Sequence, residues 1–499
     1  MRFAAGIVSL IVALATVRAS GAEWQPEGLL PTSAVLRDIL AVQARASGSA
    51  DPRFAQRRER WTYVHETRRI AVTVAVRGDD FRTSLELDGL TYTGGRTAGA
   101  RWRGDGNGIV HGIQADLQGD PLDRPPQAIF TLDPAACSLA GEARLPAPAW
   151  VIETHPDGGK PAFLYIDEAS GTIVREVMHD GKQTLTTNFD DFEPLDGALR
   201  ARHWRVEDGN ADEMLDVRVD GIEPGAVSAA DVAFPARRLF APVAPLASSA
   251  NFDASFRGGR IELRVSVDGT PDWFTLDTGT TSITVDPKIA RRFGGATLQH
   301  VVLPRVAVGP LQLDRVSALT VPFYGNGILG LDFFFGHVIE IDYRDNLVRV
   351  LSADDAATVF ADPKTAIVPI NVDQGMPLVQ AGFGAAQSDA FALDTGSPHL
   401  YVMDPFVTRF AREIADHWTP VGHSYVERYL EGGIEVQPFR VASFDFANLH
   451  VRDLLVGGQV PTKRTDDLAV PFDGIIGTDI LQNFDLYFDY DNARLALRH

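Results

Sequence analysis

At 499 residues the chain exceeds what one ordinary hydrophobic core organises, so two to four domains are expected. Apolar residues make up 45% and charged residues 22%, a balance that excludes wholesale disorder. A net charge of −20 with no basic stripe excludes a nucleic-acid partner and otherwise mainly keeps the protein soluble.

Residues 1–22 read as a cleaved signal peptide, with an uncleaved anchor as the alternative. Arg2 supplies the positive start, residues 4–17 form an apolar run shorter than a membrane span, and Ala19, Ser20, Gly21 and Ala22 are small residues suited to cleavage. Cys137 is the only cysteine, and export without disulfides is ordinary for a bacterial periplasmic protein. No second apolar stretch approaches membrane length. The mature protein is therefore expected to be periplasmic or secreted, with no transmembrane span.

Residues 23–240 read as a β-rich domain. Thr32 and Ser33 are expected to cap a helix over 34–45, which carries Val35, Ile39 and Val42 at helical spacing. Short alternating strands follow, among them 70–76, 82–87 and 151–154, separated by glycine-rich turns. One hairpin is expected from 163–166 and 172–178, and another from 202–206 and 214–219. The run Gly104-Asp105-Gly106-Asn107-Gly108 has incomplete calcium-loop spacing and no closing glutamate, so it reads as a plain turn. The stretch from Thr184 through Phe192 to Leu195-Asp196-Gly197-Ala198-Leu199 is similar to the half-barrel domains of periplasmic lipoprotein carriers, with Arg200 standing where those proteins often have proline. That resemblance implies a concave antiparallel sheet and a lipid or lipoprotein partner; a scaffold or dimerisation unit is the alternative.

Residues 241–252, with Pro242 and Pro245, read as a linker, and an internal repeat follows: lobe 1 at 253–365 and lobe 2 at 366–499. Phe274-Thr275-Leu276-Asp277-Thr278-Gly279-Thr280 matches Phe391-Ala392-Leu393-Asp394-Thr395-Gly396-Ser397, 117 positions later. Downstream, Ile328-Leu329-Gly330 matches Ile475-Ile476-Gly477, and each copy ends on a matching strand pair. A carboxylate at the tip of a buried strand is costly unless it is satisfied or used. Two of them in equivalent settings suggest a pair that meets face to face and shares one proton.

These features together resemble the aspartic proteases, specifically the retropepsin-like bacterial branch, over about residues 252–499. The resemblance implies a mainly β chain: an antiparallel half-barrel-like domain followed by a bilobal acid-protease fold built from two repeated β lobes. It implies that Asp277 and Asp394 are catalytic and that Thr278 and Thr395 bridge the two loops. Gly279 and Gly396 would let each loop turn. Thr280 and Ser397 would donate to the outer carboxylate oxygens and lower the pKa of the pair. Ile328, Leu329, Gly330, Ile475, Ile476 and Gly477 would brace the loops by packing. Retroviral members place an arginine after the bracing glycine, where this chain has Leu331 and Thr478.

The following Asp332 and Asp479 read as helix N-caps, His399 as a solvated loop histidine, and Phe333-Phe334-Phe335 as core or lobe interface. Lobe 2 has room for a substrate-covering flap around Gly432-Gly433, with Tyr425 and Tyr429 as candidates to reach the substrate; in lobe 1 the flap is short or absent. No metal or cofactor is expected, since no paired histidine spacing such as H-E-x-x-H occurs. The expected function is an exported aspartic endopeptidase acting on a peptide or protein substrate. The alternative is a non-catalytic periplasmic peptide-, lipid- or lipoprotein-binding protein.

Overall fold

The computed structural model describes residues 25–48, 52–65, 68–112, 132–144, 147–155, 161–179, 184–207, 215–294, 300–322, 325–373, 375–429, 432–460 and 472–498. The expected signal peptide lies outside them. The fold is mainly β, with largely antiparallel sheets, and the chain divides into two compact units. The first comprises residues 1–104 and 113–235, the second residues 105–112 and 236–499.

In the first unit the strands run in near-sequential antiparallel order. Ala100–Gly104, Leu90–Thr97, Asp80–Leu87, Arg68–Arg77 and Gln56–His65 lead to Leu215–Pro224. The sheet then passes back through Ala198–Glu207, Thr184–Leu195, Ile173–His179, Ala162–Asp167 and Ala149–Thr154 to Cys137–Ala143. Pairing of Gln56–His65 with Leu215–Pro224 joins the early and late meanders into one sheet. Both expected hairpins are present. Alternate residues Trp61, Tyr63, Val72, Val74 and Val76 are buried, as strand periodicity requires. Trp61 meets Trp204 edge-on at 4.9 Å.

The helix spans Leu36–Ser47 and packs Ile39 and Leu40 into this core. It starts two residues later than expected, with Val35 at the N-cap and no side-chain cap bond. Thr32 instead accepts from the Ala34 N–H and bonds Glu142. Gly48 ends the helix in the left-handed conformation (φ 61°), donating to the carbonyls of Ala44 and Arg45. Arg200 is fully buried: its guanidinium lies 4.1 Å from the Phe54 ring centroid and bonds the Ser47 carbonyl at the end of the helix. A cation there meets the negative end of the helix dipole.

Among the described residues the second unit contains three sheets. The lobe 1 sheet runs from Ala241–Pro242 through Leu311–Thr320, Thr284–Val285, Gly327–Leu329, Thr270–Leu276 and Arg260–Val267 to Ala254–Arg257, with His300–Val308 alongside. The lobe 2 sheet runs from Leu378–Phe383 through Ala386–Leu393, Gly474–Ile476, Tyr401–Val402, Leu449–Gln459 and Gly432–Phe446 to Thr419–Pro420. The third sheet joins the terminal strand pairs of both copies, with Val338–Asp342 antiparallel to Asp485–Asp489. In that pairing Val338 faces Asp489 and Asp342 faces Asp485, so equivalent strands meet across a local two-fold relation.

Two segments depart from the expected organisation. Within the expected linker, Ala241–Pro242 pairs with Leu311 and Gln312 and Ala250–Asn251 pairs with Arg349 and Val350, so these residues are edge strands of the second unit. The turn expected at 104–108 inside the first domain opens a segment, residues 105–112, that belongs to the second unit. Ile109 and Phe240 are buried in its core.

Candidate active site

Each motif loop leaves the end of a buried strand and is held by the same scaffold. Thr270–Leu276 pairs in parallel with Gly327–Leu329, and Ala386–Leu393 does so with Gly474–Ile476. The ladder is extended by one bond into the loops: Asp277 N–H donates to the Leu329 carbonyl at 3.0 Å, and Asp394 N–H to that of Ile476 at 3.1 Å. Leu331 N–H donates to the Thr280 carbonyl, and Thr478 N–H to that of Ser397.

The glycines in these strands are imposed by close approach. A Cβ on Gly327 would lie 2.3 Å from the Phe274 ring, and one on Gly474 would lie 2.2 Å from the Phe391 ring. A Cβ on Gly330 would meet the Thr280 carbonyl oxygen at 2.5 Å, and one on Gly477 the His399 carbonyl oxygen at 2.4 Å. The Phe-x-Leu strand and the downstream glycines are thus two sides of one packing contact.

The two loops interlock through their threonines. Thr278 Oγ1 donates to the Leu393 carbonyl (2.7 Å) and accepts from Thr395 N–H (3.0 Å). Thr395 Oγ1 donates to the Leu276 carbonyl (2.9 Å) and accepts from Thr278 N–H (3.1 Å). Both threonines are fully buried, so losing either hydroxyl would leave two backbone groups unpaired, at about 1–3 kcal/mol each.

The interlock brings Asp277 and Asp394 together. A Cβ on Gly279 would lie 2.5–2.7 Å from the Asp394 carboxyl atoms, and one on Gly396 would lie 2.5–2.8 Å from those of Asp277. Each loop glycine therefore abuts the opposite aspartate, where no side chain fits. Each carboxyl group lies close enough to perturb the titration of the other. Asp277 accepts from Gly279 N–H (2.8 Å) and Thr280 Oγ1 (3.1 Å); Asp394 accepts from the N–H groups of Gly396 (2.8 Å) and Ser397 (3.0 Å).

The pair departs from expectation in two ways. The Ser397 hydroxyl donates to the His399 carbonyl (3.3 Å), so only its backbone N–H reaches Asp394. Moreover, both carboxyl groups titrate above the usual range, because burial outweighs the donors around them. Asp394 is raised well above the usual value, by burial and then by the Asp277 charge. Asp277 is also raised by burial, but its hydrogen bonds to Gly279, Asp394 and Thr280 pull the other way. The two groups therefore titrate as one coupled pair.

Asp332 and Asp479 cap no helix: the N-cap positions are Gly330 and Gly477, without side-chain bonds. Each aspartate instead holds the chain six residues beyond a motif aspartate. Asp332 Oδ2 accepts from Ile283 N–H (3.0 Å), and Asp479 Oδ2 from Leu400 N–H (3.1 Å). A four-residue helix with glycine at its N-cap leaves its second residue free to point at the neighbouring loop.

His399 is largely exposed, with Nδ1 3.8 Å from Asp479 Oδ2. Phe333, Phe334 and Phe335 are buried: Phe333 packs on Phe240 and Phe252, while Phe334 stacks on Tyr490 and meets Phe488. Sequence reasoning missed Tyr343 and Tyr490, equivalent residues of the two copies whose hydroxyls are buried without a hydrogen-bond partner among the described residues. Burial raises both, and the charge of Asp394 adds to it at Tyr343 and that of Asp277 at Tyr490.

Lobe 2 carries a hairpin at the expected place. Tyr425–Tyr429 pairs with the start of Gly432–Phe446, Tyr425 opposite Val436 and Tyr429 opposite Gly432. Tyr425 is exposed, whereas Ile434 and Val436 are buried against Tyr401, Met403 and Ile475. Tyr401 donates to Glu427 on this hairpin at 3.3 Å. In lobe 1 the chain passes from Arg291–Phe293 to His300–Val308, with residues 295–299 outside the described part.

A group with metal-ligand atoms within 4.8 Å of one another comprises Asp190, Asp191 and His203 in the first unit. The His203 ring already bonds Asp190 at 2.5 Å and Asp216 at 3.0 Å. Burial opposes its protonation, but these carboxylates outweigh burial and raise its pKa. Among the described residues no helix is long and apolar enough to cross a membrane.

No protein-family model matches this chain, and no curated protein does. Among solved structures, a LolA superfamily protein from Nitrosomonas europaea aligns at 10% identity and TM-score 0.31, covering 40% of this chain and 98% of that one. An aspartic proteinase from Irpex lacteus aligns at 12% identity and TM-score 0.29, covering 50% of this chain and 97% of that one. A retropepsin-like aspartic protease from Rickettsia conorii aligns at 14% identity and TM-score 0.20, covering 27% of this chain and 89% of that one. At such scores the functional reading rests on side-chain geometry.

Proposed function

We propose that the second unit is an aspartic endopeptidase, exported by the N-terminal segment, that hydrolyses peptide bonds with a water activated between Asp277 and Asp394. The observation that carries this reading is the reciprocal contact of each loop glycine with the opposite carboxyl group, because it leaves two carboxyl groups side by side in one buried place. Two carboxylates this close do not both ionise, so the pair holds one proton and titrates as a unit.

In the proposed reaction Asp277 is the base and Asp394 the acid. Asp277 takes a proton from the water as its oxygen bonds to the peptide carbonyl carbon. The Asp394 proton passes to the carbonyl oxygen, giving a neutral tetrahedral diol. Asp277 then delivers its proton to the leaving nitrogen while the carbon–nitrogen bond breaks and a diol hydroxyl returns a proton to Asp394. Protons and charge balance over the cycle. The lobe 2 hairpin is the proposed flap, with Tyr425 on its exposed strand facing substrate.

The test is digestion of a mixed unfolded-protein substrate between about pH 3 and 8, read by mass spectrometry of the products. Internal cleavage is expected; binding of peptide without cleavage at any pH would favour the non-catalytic alternative.

A further inference from the structure

Residues 105–112 lie far upstream of the first repeat in sequence, yet they are built into lobe 1 beside the loop that carries Asp277. Asp105 Oδ2 accepts from the hydroxyl of Ser282 (2.8 Å), five residues beyond Asp277. Its Oδ1 accepts from the N–H groups of Asn107 and Ile109 (2.9 Å each), which folds the segment into a compact turn. Asn107 is fully buried. Its amide donates to the Ser317 carbonyl (2.8 Å) and to Asp332 Oδ2 (3.1 Å), and accepts from Ser317 N–H (2.9 Å). Asp332 in turn holds Ile283 N–H.

The segment is anchored from its other side as well. Arg238 N–H donates to the Asn107 carbonyl (2.7 Å), and Gly108 (φ 77°) passes so close to Ala236 that a Cβ would lie 2.3 Å from its carbonyl oxygen. Further along, Gly112 N–H bonds the Asp373 carbonyl, and Thr281 Oγ1 donates to the Gly375 carbonyl at 3.1 Å. Lobe 2 is built differently at the equivalent place. There Asp479 holds Leu400 N–H, and the side chain beside it is the exposed His399.

We propose that Asp105 and Asn107 are positioning residues for Asp277: the remote segment fixes Ser282 and Ile283, and through them the loop whose other end carries the carboxylate. Lobe 1 is complete only with this segment, although the repeat alone looks self-sufficient in sequence. The inference rests on the protease reading for its catalytic consequence. Its structural half stands apart, because it concerns loop order.

The experiment uses the full chain and the variants Asp105→Ala, Asp105→Asn, Ser282→Ala and Asp105→Ala/Ser282→Ala. Amide hydrogen exchange at residues 280–283 and steady-state peptide cleavage are the two readouts. Asp105→Ala should exchange faster over 280–283 and lose about tenfold in kcat with KM within about twofold, since a misplaced catalytic group lowers kcat. Asp105→Asn keeps an oxygen acceptor and a hydrogen-bond partner for Ser282, and should recover kcat to within about threefold of wild type. Ser282→Ala should match the Asp105→Ala loss, and the double variant should lose no more than either single one.

Unchanged exchange and unchanged kcat in Asp105→Ala would overturn the proposal, as would losses that multiply in the double variant. If Asp105→Ala fails to fold, Ser282→Ala decides, because it leaves the turn around Asp105 intact. If the wild type cleaves nothing, the protease reading fails while exchange over 280–283 still decides the positioning role.

Discussion

Thr280 and Ser397 occupy the same place in the two motif copies, yet their hydroxyls do different things. Thr280 donates to the Asp277 carboxylate, and Ser397 donates to a backbone carbonyl. A hydrogen bond to the charged form of an acid lowers its pKa, so removing the Thr280 hydroxyl should raise that of the pair. We predict that Thr280→Val moves the acidic limb of kcat/KM upward by up to about one pH unit, ~1.4 kcal/mol. Ser397→Ala should leave the limb in place, since its backbone N–H still reaches Asp394. A pH–rate profile of both variants checks this, and equal displacement by both would contradict it.

At the level of elements, the lobe 2 hairpin combines a buried strand with an exposed one. Ile434 and Val436 anchor it to a small apolar cluster, while Tyr425 and Val426 face solvent. Removing residues 426–433 and joining Tyr425 to Ile434 should keep the anchor. The shortened protein is expected to melt within a few degrees of wild type and to lose at least about a hundredfold in kcat/KM. Retained turnover would remove the hairpin from the mechanism.

The repeat itself was legible in sequence for a physical reason. A Phe ring on one strand demands a glycine on its parallel neighbour, and two buried loop threonines can satisfy each other only as a pair, so the same residues recur in both copies. The first unit was legible as strands and hairpins through alternation and turn residues. The positions of Asp332 and Asp479 were not legible, because an acidic residue at the start of a short helix has the same local pattern whether it caps or reaches across. Nor was the role of residues 105–112. A Gly-Asp-Gly-Asn-Gly run announces a turn, and nothing local says which unit buries it. The edge strands at 241–242 and 250–251 are two residues long, too short to carry a period.

Across the second unit as a whole, buried acids set the dependence of stability on pH. Burial, with the neighbouring Asp105 charge, pushes Asp332 up to about 8, and burial raises Asp105 as well. An unfolded chain releases the Asp332 proton near pH 4, so between about pH 4 and 8 the folded form binds the extra proton. Stability from this group is therefore present at low pH and is lost as pH rises toward 8. His300 acts in the opposite sense: burial lowers its pKa to about 4, so it costs stability as pH falls from about 6.5 to 4. Asp332→Asn keeps an acceptor for Ile283 and Asn107 but removes the titration. Relative to wild type it should gain roughly 1–2 kcal/mol between pH 6.5 and 8, read as a melting-temperature difference that grows with pH. A difference that stays constant with pH would contradict the assignment.

The central claim is that Asp277 and Asp394 act as one proton-sharing pair. Its most direct test is the rate of peptide-bond cleavage in an unfolded-protein substrate by wild type, Asp277→Asn and Asp394→Asn, each confirmed folded by its melting temperature. Loss of at least about a thousandfold in kcat is expected in both single variants, with the double variant no slower than either, as for groups acting as a unit. Turnover equal to wild type in either single variant would contradict the account.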